Sequence, residues 1–191
     1  MSDLIGDVTR STDAALKEGA PKHAWVSEIG YPTHIQSNGV DGCTQARLGV
    51  RTLAILQASL KIDKLFWYDF KNDGLDLAYN ECNFGVVHHQ DLNCAPKPSV
   101  VAFSVFARIT AGAKPLSIWH DDSLWIAKYR GANGGDLQVV WTTGASRPLS
   151  VKGAKLKAFD IMGNPVTVSD AAAATEDALY LTGQRIAVTP R

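Results

Sequence analysis

The chain is 191 residues long, 46% hydrophobic and 20% charged, a globular balance sized for one domain or two small ones. Its 19 basic and 19 acidic residues cancel to a formal net charge of zero, which argues against nucleic acid or an anionic membrane as main partner, because both demand a basic excess. No apolar run approaches transmembrane length, and the start Met1-Ser2-Asp3-Leu4-Ile5-Gly6-Asp7 lacks the basic segment and apolar core of a signal peptide.

In chain order, residues 3–18 predict a helix capped by Asp3, with an apolar face of Leu4, Ile5, Val8, Ala14, Ala15 and Leu16 and a stop at Gly19 and Pro21. Residues 24–29 predict a strand, where alternation places Trp25 and Ser27 on one face and Val26 and Glu28 on the other. Gly30 and Pro32 end that element, and residues 31–43 read as a loop. Thr44 is the expected N-cap of a helix over about residues 45–60, apolar at Leu48, Leu53, Leu56 and Leu60. Residues 62–70 then form a strand with almost no polar interruption after Lys64, the pattern of a parallel strand covered by helices. A long loop over residues 71–97 leads to a helix at 99–111, with Pro98 suited to its first turn.

Helix, strand, helix, strand, helix is the order of a parallel sheet or barrel. From about Ala113 the pattern changes to short runs at 117–120, 123–129, 137–143, 149–151, 156–161, 166–168, 178–181 and 186–188, separated by turn residues such as Gly163-Asn164-Pro165. Such regular short strands predict a small antiparallel β-sandwich. The fold class is therefore α/β followed by all-β, with domains at 1–113 and 114–191 and a boundary near residues 112–116.

Glu28 stands where a buried strand opens into a loop, held rigidly on one side and free to meet a ligand on the other. The stretch Trp25-Val26-Ser27-Glu28-Ile29-Gly30-Tyr31-Pro32 resembles the seventh-strand motif of glycoside hydrolase clan A, the retaining TIM-barrel glycosidases, in which the Glu is the nucleophile. Phe66-Trp67-Tyr68-Asp69-Phe70, Asn72-Asp73-Gly74, Asn83-Phe84-Gly85-Val86-Val87 and Pro96-Lys97-Pro98 resemble the eighth strand, its loop and the last helix of the same enzymes. The nearest subgroup is family thirty-nine-like or a relative in family five. The resemblance implies the last two βα units of a (β/α)8 barrel followed by a β-sandwich. It implies the C-terminal portion of a retaining O-glycoside hydrolase acting on an oligo- or polysaccharide, with no cofactor and no metal.

By the same resemblance Glu28 attacks the anomeric carbon and Trp67 offers an apolar face to the sugar, so the two are expected side by side in one pocket. Tyr31 and His34 are candidates to line that pocket, and Asp69, Asn72 and Asp73 to hydrogen-bond sugar hydroxyls. A retaining mechanism needs a second carboxyl about 5 Å away to protonate the leaving oxygen. In the clan that acid is a Glu after an Asn on an earlier strand. The sole Asn-Glu pair here, Asn80-Glu81, follows Trp67, so Glu81 reads as a rim residue. A whole barrel takes roughly 250 residues; the chain resembles its C-terminal piece, and Met1 an internal or truncated start. The chain alone is expected not to turn over glycosides, and to associate with itself or with a complementary barrel fragment. The competing reading is a non-catalytic carbohydrate-binding or interaction module.

Other groups carry less. His88 and His89 with Glu81, Cys82 and Cys94 fit no metal-ligand spacing. Cys43, Cys82 and Cys94 are compatible with free thiols or with one Cys82–Cys94 bridge. Trp119, Trp125 and Trp141 fit a sandwich core, or else an exposed sugar-stacking row.

Overall fold

The computed structural model describes residues 4–19, 24–168 and 172–191. The expected Asp3 cap and Pro21 stop lie outside the described residues. Helix α1 is Leu4–Lys17, strand β1 Ala24–Ile29, helix α2 Gly42–Ala58, strand β2 Ile62–Trp67 and helix α3 Pro98–Thr110, with two single-turn helices at Asn80–Asn83 and Gln90–Leu92. In α1 Leu4, Val8 and Thr12, spaced four apart, are sheltered, as are Gly6 and Thr9, while Ala14, Ala15 and Leu16 of the expected apolar face are exposed.

The chain divides into two compact units, Met1–Leu56 with Lys61–Ser104, and Gln57–Leu60 with Val105–Arg191. The division falls inside α3, earlier than the expected 112–116.

In the first unit β1, α2 and β2 form a βαβ crossover, with β1 and β2 paired in parallel. The N-cap of α2 is Asp41 rather than Thr44: its carboxylate accepts the Thr44 N–H at 2.9 Å and the Thr44 hydroxyl at 2.7 Å, and its carbonyl accepts the Gln45 N–H at 2.8 Å. A carboxylate satisfies the free amides of the first turn better than a hydroxyl can, and its charge suits the helix dipole. Hydrogen bonds to Thr44 are the main reason the Asp41 carboxyl sits below the usual carboxylate range. The buried line of α2 runs through Ala46, Val50 and Ala54. Its small residues let α3 approach closely, and a β-carbon at Gly49 would fall 2.3 Å from the Phe103 ring. Strand β2 stops at Trp67 rather than Phe70. Tyr68 still donates its N–H to the Ile29 carbonyl at 2.8 Å, after which Asp69 and Phe70 bond to Phe84, Val86 and Val87.

In the second unit β3 Lys114–His120, β4 Leu124–Arg130, β5 Asp136–Thr142, β6 Arg147–Phe159, β7 Pro165–Val166, β8 Ala172–Ala174 and β9 Leu179–Pro190 make one antiparallel sheet in the order β3-β4-β5-β9-β6-β7, with β8 also on β6. Every described strand of this unit belongs to the one continuously bonded sheet. The runs at 149–151 and 156–161 are halves of β6, and those at 178–181 and 186–188 are halves of β9. Both strands pass through register shifts between Lys152 and Lys157, and such irregularities break the alternation without ending the strand. Leu124, Ile126, Val140, Leu149, Val151, Leu181 and Ile186 form the core. Trp125 and Trp141 are buried beside it and stack with His120 in a cross-strand ladder, centroids 4.1 and 5.8 Å apart, while Trp119 is 45% exposed.

The first unit leaves a different surface. The β1–β2 sheet has two strands only, and its uncovered face shows Trp25 and Phe66, 59% and 49% exposed, with the Lys64 ammonium 4.2 Å from the Trp25 ring centroid. Exposed aromatics on an unpaired sheet are an association surface. Sedimentation of the chain is expected to show concentration-dependent association that the W25K/F66K double variant removes; a wild-type monomer at all concentrations would contradict this.

Candidate functional site

Because β1 and β2 are parallel, both open at the same end, and the loops after Ile29 and Trp67 leave together from their carboxyl ends, where open α/β sheets place ligands. The pairing there is irregular. Val26 lies opposite Leu65 and Ile29 opposite Trp67, so three steps in β1 match two in β2. Residues directly opposite share a face, which puts Val26, Ile29, Leu65 and Trp67 together on the helix side. The extra residue is absorbed at Ser27 and Glu28, both exposed. This bulge corrects the alternation expected from the sequence: Glu28 does not share a face with Val26 but is turned toward the side of Trp25 and Phe66. Gly30 follows because the strands close tightly there; a β-carbon at Gly30 would lie 1.7 Å from the Tyr68 carbonyl oxygen.

Trp67, expected beside Glu28, is on the other side of the sheet. Its ring meets Phe103 of α3 edge-on at 4.7 Å and Tyr31 at 5.9 Å, and its indole N–H is buried. Tyr31 belongs to the same packing: its hydroxyl is 2.7 Å from that of Thr52 in α2, and burial raises its pKa. His34 does not edge a cleft. It is 4% exposed, with Nε2 2.8 Å from the Asn38 side-chain oxygen inside its own loop. Asn72 is equally enclosed and accepts from the Lys97 ammonium at 2.8 Å. Asp69 is half-buried and accepts from the Phe70 N–H, whereas Asp73 is exposed and accepts the Tyr68 hydroxyl at 3.1 Å.

Tyr68 is the aromatic the sequence reading passed over. It follows Lys64 and Phe66 at strand spacing, so it belongs with the uncovered face, and its ring meets Phe84 at 5.2 Å. The bond to Asp73, with smaller contributions from Glu81 and Asp69, pushes its pKa up to about 12. Tyr68 therefore stays a neutral hydroxyl among carboxylates. On the loops that leave the strand ends, Ile35, Phe70, Leu75, Leu77 and Tyr79 are more than half exposed.

Two buried polar side chains hold these loops. Gln45, fully enclosed in α2, donates to the carbonyls of Tyr31, Phe84 and Gly85 and accepts the Ser99 hydroxyl at 2.7 Å. Lys97, 3% exposed, donates to Thr33 Oγ1 at 2.9 Å, Asn72 Oδ1 at 2.8 Å and the Asn83 carbonyl at 3.1 Å. Three neutral acceptors satisfy its three donors, yet burial without a carboxylate lowers its pKa to about 8. Among the described residues no group of three or more His, Cys, Asp or Glu is placed to hold a metal ion, and the three cysteines are free thiols.

No family model and no curated protein sequence matches the chain. Solved structures do resemble it. A family 39 glycoside hydrolase from the gut symbiont Bacteroides cellulosilyticus WH2 superposes with a TM-score of 0.75 at 22% identity, over 94% of this chain and 37% of that one. The catalytic domain of GH30 xylanase C from Talaromyces cellulolyticus matches at a TM-score of 0.53 and 15% identity, over 87% and 41% of the two chains. SrfJ from Salmonella typhimurium matches at 0.56 and 15%, over 93% and 38%. At these identities the likeness is one of fold. The chain spans 37–41% of the length of these structures.

The Lys97 anchor gives the loops a pH dependence. Because its folded pKa of about 8 lies below the ordinary 10.5, the unfolded chain holds the extra proton between those values and stability rises with pH across them. The difference in unfolding free energy between wild type and K97M, read from denaturant titrations, is expected to shift in favour of wild type from pH 8 to pH 10.5, by at most about 3 kcal/mol. A difference that stays constant would mean that Lys97 titrates normally.

Proposed function

We propose that the chain is the C-terminal portion of a retaining O-glycoside hydrolase acting on an oligo- or polysaccharide, with Glu28 as the nucleophile. The observation that carries this reading is the bulge that aims Glu28 onto the uncovered face, at the carboxyl end of a parallel strand pair. The fold's likeness to glycoside hydrolases supports it, as does the limited share of those chains that it spans. On this reading β1 and β2 with their helices are the last two units of a barrel, and the antiparallel sheet is the appended β-domain. The remaining strand–helix units are the complementary fragment that covers Trp25 and Phe66, and they supply the general acid.

The chemistry assigns new parts to the residues at the strand ends. Glu28 attacks the anomeric carbon, and the missing carboxylic acid protonates the departing oxygen and then activates water. Tyr68, not Trp67, is the aromatic placed to face the sugar. Its one hydroxyl proton is donated to Asp73 and kept there by the raised pKa, so toward a sugar the phenol oxygen offers an acceptor at any working pH. Asp69 and Asp73 are the candidates to bond sugar hydroxyls, while Trp67, Tyr31, His34 and Asn72 hold the framework.

A nucleophile without its acid still reacts with substrates whose leaving group needs no proton. The chain is expected to be labelled at Glu28 by one of a panel of 2-deoxy-2-fluoro glycosyl fluorides, with a mass gain of one glycosyl unit on the peptide holding Glu28. E28Q is expected to lose that label. Unactivated glycosides are expected to turn over about 10²–10⁴-fold more slowly than with the acid restored by the complementary fragment. If no fluoride of the panel labels Glu28 in the presence of that fragment, the nucleophile assignment is wrong and a non-catalytic carbohydrate-binding module is the better reading.

A further inference from the structure

The second unit carries a cleft of about 540 Å³ that the reading above does not use, bounded by the Gly131–Gly135 turn and by β5, β6 and β9, within the size range of small-molecule sites. Lys155 and Lys157 line it, and a second cleft sharing Gly135, Asp136 and Gln184 adds Arg130 and Arg185. Asp136 is the one carboxylate lining either cleft, and it is already engaged: Oδ1 accepts from Arg130 at 2.8 Å and Oδ2 from the Ile186 N–H at 3.0 Å. Lys155, Lys157 and Arg185 have no ion-pair partner among the described residues. In a chain of zero net charge, that leaves three cations without an ion pair around two adjoining clefts, two lysines on the first and Arg185 on the second.

The backbone is specialised at the same place. Ala154 pairs with Gln184, and the residue after each, Lys155 and Arg185, takes the left-handed conformation, at φ 53 and 54. Side chains other than Gly, Asn or Asp seldom adopt it, and strain of this kind gathers at ligand sites. Here it falls on two basic residues on facing strands at once, where glycine would relieve the strain but remove the charge. Beside Lys155 the facing strand is bare backbone: a β-carbon at Gly183 would lie 2.9 Å from the Ala154 carbonyl oxygen and 3.3 Å from that of Lys155.

We infer that these adjoining clefts together bind an acidic saccharide, its carboxylates taken by Lys155 and Lys157 on the first and by Arg185 on the second. No aromatic side chain lines either cleft, so there is no platform for the apolar face of a neutral sugar or for the stacked bases of a single-stranded nucleic acid. What remains is charge, together with the polar side chains of Asn133, Thr182 and Gln184.

Titration calorimetry of the full chain with trigalacturonate and with neutral galactotriose tests this directly. Saturable binding of trigalacturonate is expected, weakened by added salt and by about tenfold in K155Q/K157Q, the loss of two exposed charge contacts. R185Q is expected to weaken it as well, while K152Q, on β6 but outside the cleft, is expected to bind as wild type. Galactotriose is expected not to bind. Equal binding of the two sugars, no saturable binding, or an unchanged K155Q/K157Q variant would overturn the inference, and tighter binding of an oligothymidylate would replace the saccharide with nucleic acid. The result does not depend on whether Glu28 can be labelled.

Discussion

One extra residue between Val26 and Ile29 decides what the first unit presents to a ligand. In a regular strand Glu28 would fall on the face of Val26, under the helices, where an ionised carboxylate without a partner is costly. The bulge resolves the conflict by giving Ile29 the buried place opposite Trp67 and passing Glu28 to the other side. Such irregularities bend a strand and re-aim side chains, and here the re-aimed group is the one carboxylate on β1. Everything proposed for Glu28 follows from this misregister. A substitution that restored even pairing would bury the carboxylate or expose Ile29.

The loops around Glu28 are tied together by buried polar anchors. Gln45 and Lys97 together bond to Tyr31, Thr33, Asn72, Asn83, Phe84 and Gly85. Those partners come from both loops that leave the strand ends, so two side chains fix the shape of both. Lys97 does this at an electrostatic cost, since no carboxylate neutralises it. Methionine in its place would leave three acceptors unpaired, a cost comparable to that of burying the ammonium. Such an anchor contributes less to net stability than to holding one loop conformation among many.

What the sequence made legible follows the range of each interaction. Strand β1, the βαβ order and α3 come from local signals: apolar runs, a capping residue, a proline at a helix start. The face on which a residue lies was legible only where alternation was clean. Leu65-Phe66-Trp67-Tyr68 is continuously apolar, so nothing in it distinguishes which face Trp67 or Tyr68 takes. Asn72 and His34 look like ordinary loop polar residues, yet the partner that encloses Asn72 is Lys97, far along the chain. Pro96-Lys97-Pro98 reads as the lead into a helix, and nothing local in it shows that Lys97 is a buried donor. In β6 and β9 the register shifts near Lys155 and Arg185 erased the alternation, so each long strand read as two short ones. Pairing irregularities belong to two strands at once, and periodicity along one strand cannot show them.

The two units bury their apolar surface differently, and the contrast bears on what the first one lacks. The second unit has a core drawn from β4, β5, β6, β8 and β9, with Leu124, Val140, Leu149 and Leu181 almost fully enclosed. A sheet of seven strands with such a core satisfies its own backbone and apolar groups. The first unit has helices over one face of two strands, and aromatics bare on the other. Two strands alone are marginal in water. Trp25 and Phe66 are larger than a solvent-facing strand would select, and they become intelligible when that face has a partner. On the proposed reading Glu28 shares that face, so whatever covers the aromatics would also enclose the carboxylate, and completing the sheet and completing the site would be one event.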